Sequence, residues 1–278
     1  MKIITSDEIL RKYVPNVFVT VAGEPSFFEK LHPFLLSAET WAERNIVGNA
    51  TLIAIAAMEQ ERTERELLSS MIVSEAFRQA VPSLDLVLTP NGFGIVNNTN
   101  VVPASAERIT RLVASLEASR DDAISSLLPL MAQLPEWQSS AQSEFFRSSL
   151  FPIPSMLASL GYKENLWRNY LDVREQLILI EDAIAESWLS PEYMATLRSY
   201  GLMEATAPQQ DAMMLQRARR AVIVKMKSQR MPVALLSSMV DYIIDHPSEF
   251  PVWHESSTAE LFNPPVFENK KENHGYFF

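Results

Sequence analysis

The chain has no cysteine and only seven glycines among its 278 residues. Without cysteine there is no disulfide framework, thiolate zinc site, iron–sulfur cluster or thiol nucleophile. Glycine is far below its usual ~7% of a globular chain. Phosphate-cradling loops need glycines at fixed close spacing, so that backbone N–H groups can approach the ligand. No Walker loop, Gly-x-Gly-x-x-Gly run, Gly-x-Ser-x-Gly elbow or His-Glu-x-x-His motif is found. The four histidines, His32, His246, His254 and His274, leave little for metal or acid–base chemistry. The longest apolar stretch, Ala50–Met58, is far shorter than the roughly 18 residues of a spanning helix. The opening residues Met1–Glu8 turn polar at once, without the basic, apolar and small-residue regions of a signal peptide. A cytoplasmic protein is expected, with no membrane contact.

What remains is an ordinary globular composition, 47% hydrophobic and 21% charged with a net charge of −10, and a strongly helical pattern. Thr5 and Glu8 have capping-box spacing and predict a short helix before Pro15. Alternating Val17, Val19 and Val21 predict a short strand. Phe27, Phe28, Leu31, Phe34, Leu35, Ala38, Trp41 and Ala42 mark one helix over 26–46, with Pro33 as a kink or a late start and Gly48-Asn49 as its stop. A second helix is expected over 50–80, its charged middle Glu59–Glu66 forming a solvated face. Pro90-Asn91-Gly92 between apolar residues predicts a β-hairpin at about 84–96. A helix from about 105 to 131 and another over 137–150 follow, then the extended Phe151–Pro154. The remainder reads as helices over 164–188, 191–201, 211–229 and 233–246.

The expected fold is mainly α. It has two helical, bundle-like halves (1–150 and 151–254), a small β-hairpin and an extended C-terminal arm (255–278). The stretch from Phe27 to Glu43 echoes the stretch from Tyr170 to Glu186. Duplication of a helical unit accounts for this, as does the general likeness of amphipathic helices.

Thr89–Ser105, continuing into Glu107-Arg108-Ile109, resembles a family of uncharacterised proteins of Bacteroides and related bacteria, found among prophage-like genes. The opening Ile4–Tyr13 is similar to the start of many phage head–tail connector proteins. The resemblance implies virion assembly as a context. It implies no catalytic residues.

Candidate chemistry is sparse. Glu29-x-x-His32 has one half of a bundle metal motif, but it occurs once and Pro33 follows it. Glu39 with Glu43, and Asp182 with Glu186, are carboxylates four apart that could serve acid–base work, but without partner histidines or a recognisable pocket they are read as solvated helix faces. Asp241 and Asp245 lie just before His246, which a helix C-terminus would also favour as a capping cation. No catalytic, cofactor or metal residue is expected, and no enzyme.

Two features suggest interaction. Arg217, Arg219, Arg220, Lys225, Lys227 and Arg230 crowd one helix, with no acid between Asp211 and Asp241. They can face nucleic acid phosphates or pair with acids of this or a neighbouring subunit. The second is preferred, because no aromatics interleave for base stacking. Phe262, Phe267, Tyr276, Phe277 and Phe278 place large rings on a polar tail and suggest docking onto its own body or another subunit. The expected function is a non-enzymatic structural or assembly protein of a phage-like particle, such as a head–tail connector or adaptor. Its partners would be copies of itself or other phage structural proteins, and it would be located in the virion. The alternatives are an intracellular helical scaffold that binds another protein, and an enzyme using the helix-borne carboxylates.

Overall fold

The structure is a computed structural model that describes residues 2–14, 25–84, 86–89, 92–95 and 105–262, with 86–89 and 92–95 described by their backbone alone. The expected strand at 17–21 lies outside them. The described chain is mainly helical.

Helix α1 (Asp7–Tyr13) is capped by Ser6 rather than by the expected Thr5, the Ser6 hydroxyl accepting the Ile9 N–H at 3.3 Å. Helix α2 (Phe27–Ala42) opens on a capping box. Ser26 accepts the Glu29 N–H, and the Glu29 carboxylate accepts the Ser26 N–H at 2.6 Å. Pro33 lies inside this helix. After Ala42 the ladder widens into a π turn, Glu43–Val47, closed by Gly48 N–H to the Glu43 carbonyl at 2.8 Å. Gly48, at φ 80°, ψ 154°, redirects the chain into α3 (Asn49–Ala56). The single helix expected over 50–80 is broken at residues 57–62 before α4 (Thr63–Ala80). The Arg65 guanidinium donates to the Met58 carbonyl. The charged run thus closes a turn and starts α4, instead of lining one long helix.

Strands β1 (Leu86–Thr89) and β2 (Gly92–Ile95) pair antiparallel, with Leu86 opposite Ile95 and Thr89 opposite Gly92. Helix α5 (Ala106–Met131) starts at the Ser105 cap. The helix expected over 137–150 is two, α6 (Pro135–Gln138) and α7 (Ala141–Arg147), because Ser140 interrupts the first and caps the second. A 3-10 segment, Pro154–Leu160, leads to α8 (Leu166–Ile184). A second π turn, Ala185–Leu189, precedes α9 (Pro191–Tyr200). Helices α10 (Gln209–Ser228), α11 (Val233–Asp245), α12 (Pro251–His254) and α13 (Ser257–Phe262) complete the described chain. The expected extended arm therefore begins as a helix, since Ser256 caps α13 by accepting the Ala259 N–H. Residues 263–278 lie outside the described ones.

The chain divides into two compact units, residues 1–175 with 201–203, and residues 176–200 with 204–278. In the first, α4 packs against α2 and α5. Leu31, Leu35, Leu68, Ile72, Ile124, Leu127, Leu128 and Trp137 form a fully buried core. In the second, Leu177, Ile184, Leu197, Met214, Leu215, Met239, Ile243 and Trp253 do the same.

The local architecture occurs twice. Helix, π turn, positive-φ residue, helix and long helix follow one another as α2–α3–α4 and again as α8–α9–α10. Gly48 corresponds to Ser190, which has φ 64° and ψ 149°. The Trp137 indole donates to the Ile46 carbonyl at 2.9 Å, and the Trp253 indole donates to the Trp188 carbonyl at 2.9 Å. Ile46 and Trp188 each stand two residues before the positive-φ residue. Ser140 and Ser256, three residues after each tryptophan, both donate to its carbonyl at 2.6 Å. Phe146 and Phe262, nine residues after, set their rings 6.2 and 6.1 Å from the respective indoles. This shared set of bonds favours duplication of a helical unit over the general likeness of amphipathic helices. The register is one residue off the sequence echo: Glu39 matches Glu181. The repeats differ between their long helices. Residues 81–105 link α4 to α5, but only 229–232 link α10 to α11.

Candidate functional site

The densest polar constellation sits among α4, α5 and the start of α8. Arg120 on α5 reaches Glu75 on α4 at 2.8 Å and its own neighbour Asp121 at 2.8 and 2.9 Å, all three nearly fully buried. Arg78 and Gln79 also donate to Glu75. The second oxygen of Asp121 accepts the Trp167 N–H at 3.1 Å and so anchors the first turn of α8. Burial pushes the Glu75 carboxyl up. Hydrogen bonds from Arg78, Gln79 and Arg120, with the Arg120 charge, outweigh it and hold the group below its ordinary value. Four donors fill the Glu75 carboxylate, about the capacity of its lone pairs. It is therefore a tie between helices rather than a free base. Arg120 also lies 5.8 Å from the Trp41 ring, and Trp41 meets Trp167 edge-on at 6.0 Å.

The carboxylates singled out in the sequence are not brought together. Glu39 is buried and accepts the backbone N–H groups of Lys2 (2.7 and 2.8 Å) and Ile3 (3.0 Å), so it fastens the N-terminal segment onto α2. That corrects its assignment to a solvated face. Asp182 pairs with Arg198 at 2.8 Å, as does the fully buried Glu181 at 2.9 Å. Glu29 is consumed by its capping box, and His32 is exposed with its ring 5.9 Å from Phe28. The His246 ring donates from Nδ1 to the Tyr242 carbonyl at 2.8 Å at the end of α11, and stacks on Tyr242 at 4.1 Å. Among the described residues no group of three His, Asp or Glu side chains comes together as a metal site. Nor is any helix among them long and apolar enough to cross a membrane.

Sequence reasoning missed Glu181, Glu75, Arg120 and Asp121. Glu39 and Glu181 carried a signal. Each lies four residues after a buried leucine, Leu35 or Leu177, and so falls within the apolar stripe. Glu75 and Arg120 had none beyond position.

The cations of α10 do not share one face. Arg219 is buried against Glu204 at 2.6 Å. Burial pushes the Glu204 carboxyl up, but the bonds from Gln216 and Arg219 hold it down. Arg217 lies 5.9 Å from the Tyr242 ring. Lys225 donates to the Gln229 carbonyl at 2.9 Å and helps close the helix end. Arg220, Lys227 and Arg230 are exposed. Phe262 packs in α13 against Trp188 at 5.8 Å as well as Trp253. Phe267, Tyr276, Phe277 and Phe278 lie outside the described residues.

The most extensive aromatic contact joins α7 to the start of α8, within the first compact unit. Phe146 stacks on Tyr170 at 6.1 Å, and Phe145 meets Tyr170 edge-on at 6.4 Å. The Arg174 guanidinium covers the Phe145 ring at 3.8 Å and donates to the Phe145 carbonyl at 2.5 Å. Burying rings this way stabilises by roughly 1.5–3 kcal/mol each, with about 0.5–1 kcal/mol for a cation over an exposed ring and more when it is desolvated.

The model of a family of unknown function (DUF6712) matches residues 19–147. That span ends on the last residue of α7 and so takes in the first repeat. No curated protein and no solved structure matches the chain.

Proposed function

We propose that this chain is a non-enzymatic structural protein that acts as an assembly component of a phage-like particle, of the head–tail connector or adaptor type. The observation that carries the reading is the duplicated helical unit with its matched tryptophan anchors. Its ionisable side chains serve as ties: Glu75, Glu39 and Glu181 each hold one segment to another, with donors already in place. A repeated rigid unit presents equivalent surfaces more than once, which suits a protein that builds symmetric assemblies. The resemblance of 89–105 to the Bacteroides prophage-associated proteins, and of 4–13 to connector proteins, supplies the particle context and a virion location. The test is light scattering and electron microscopy of the purified full chain. Rings or oligomers of fixed size support the reading, and a strict monomer at all concentrations defeats it.

A further inference from the structure

Duplication makes the α7–α8 contact a template. In it, the last helix of one repeat (Phe145, Phe146) packs on the first helix of the next (Tyr170, Arg174). The register that equates Gly48 with Ser190 equates Tyr170 with Phe28, Arg174 with His32, and Ile178 with Leu36. The register that equates Trp137 with Trp253 equates Phe145 with Leu261. The counterpart faces are open. Leu261 on α13 is 69% exposed, although Phe145 in the template lies under Arg174. His32, the counterpart of Arg174, is exposed, and Leu36, one turn further along α2, is 47% exposed. Phe28, His32 and Leu36 recur every four residues and form one stripe along α2.

We infer that α13 of one chain docks on the Phe28–His32–Leu36 stripe of α2 of a second copy, repeating between chains the contact that α7 makes with α8 within one. This contact rests on the assembly reading and names its partner as the chain itself. It is heterologous, because each chain offers one α2 face and one α13 face. Such a contact propagates head to tail and closes into a ring when the rotation allows.

The experiment is sedimentation velocity over a range of concentrations on the full chain and the variants Leu36→Glu and Leu261→Glu. Both positions are on the surface, so helicity by circular dichroism should match that of the parent. The parent is expected to form oligomers, and each variant alone to fall to a monomer. An equimolar mixture of the two should give a species of two chain masses and nothing larger, because one intact α13 then meets one intact α2. Leu179→Glu, at a 63% exposed position on α8, should keep the parent's mass. A parent oligomer indifferent to both substitutions, or a mixture that stays monomeric, overturns the head-to-tail contact but leaves the assembly reading standing. A monomeric parent overturns both.

Discussion

Trp137→Phe and Trp253→Phe perturb the two copies of one anchor. Each removes an indole N–H that donates at 2.9 Å to a carbonyl in a π turn, Ile46 in one repeat and Trp188 in the other. Removing the donor leaves a buried acceptor unsatisfied, which costs about 1–3 kcal/mol. Phenylalanine keeps a ring near Phe146 or Phe262, so the larger loss of about 3–5 kcal/mol for truncation to alanine is avoided. The Ile46 carbonyl bond is buried and the Trp188 bond is partly buried. Trp137→Phe should therefore cost about 2–3 kcal/mol and Trp253→Phe about 1–2 kcal/mol. Chemical denaturation followed by circular dichroism measures the loss. Hydrogen exchange then places it. Gly48 N–H, which closes the first π turn onto Glu43, should lose protection in Trp137→Phe. Met194 N–H, bonded to the Ser190 carbonyl after the second, should lose it in Trp253→Phe. Losses under about 0.5 kcal/mol for both, or unchanged protection at both amides, would refute the idea that the indoles hold these turns.

Arg120→Met leaves Glu75 and Asp121 buried without their shared cation and should cost about 3–5 kcal/mol in denaturant titration. Gly48→Ala forces φ 80° on an alanine and sets its Cβ 2.9 Å from Gln142 Oε1, so a loss of about 1–3 kcal/mol is expected by thermal unfolding. Glu75 is held below its ordinary value of 4.5 in the fold, so its contribution is complete above that pH and is lost as pH falls through the lower folded value. Acid titration of Glu75→Gln should accordingly show a shallower loss of stability below pH 4.5 than the parent. Asp211 has the opposite sign. Burial raises its folded value above 3.8 despite the hydroxyl of Tyr193 donating to it at 2.8 Å, so its share of stability falls as pH rises out of that range. Asp211→Asn should remove that slope.

Helix periodicity was legible wherever a leucine-rich stripe met a cap or a breaker. The starts of α2, α9 and α11 follow from Ser26, Pro191 and Pro232. The π turns were not legible. A shift from i→i+4 to i→i+5 bonding changes no residue type, and the tryptophan that holds it lies far along the chain. The charged run at 59–66 misled because mixed charge suits an exposed helix and a turn equally. Arg65 on the Met58 carbonyl decided between them. The duplication was visible only faintly, and one residue out of register, because what the repeats share is a set of bonds around Trp137 and Trp253 more than a string of letters. The interaction candidates on α10 were read from charge density alone. Density on a helix cannot say which cations turn inward, and Arg219 does.

Asn165, Ser190 and Gln229 take positive φ without being glycine. A designer seeking stability would replace each with glycine to relieve backbone strain of order 1–3 kcal/mol. At two of them that exchange is self-defeating. The Ser190 hydroxyl accepts the Tyr193 N–H at 3.1 Å, and the Gln229 amide donates to the Met226 carbonyl at 2.9 Å. In a chain so poor in glycine, one residue both bends the backbone and binds the helix end beside it. Only Asn165 remains a candidate for gain.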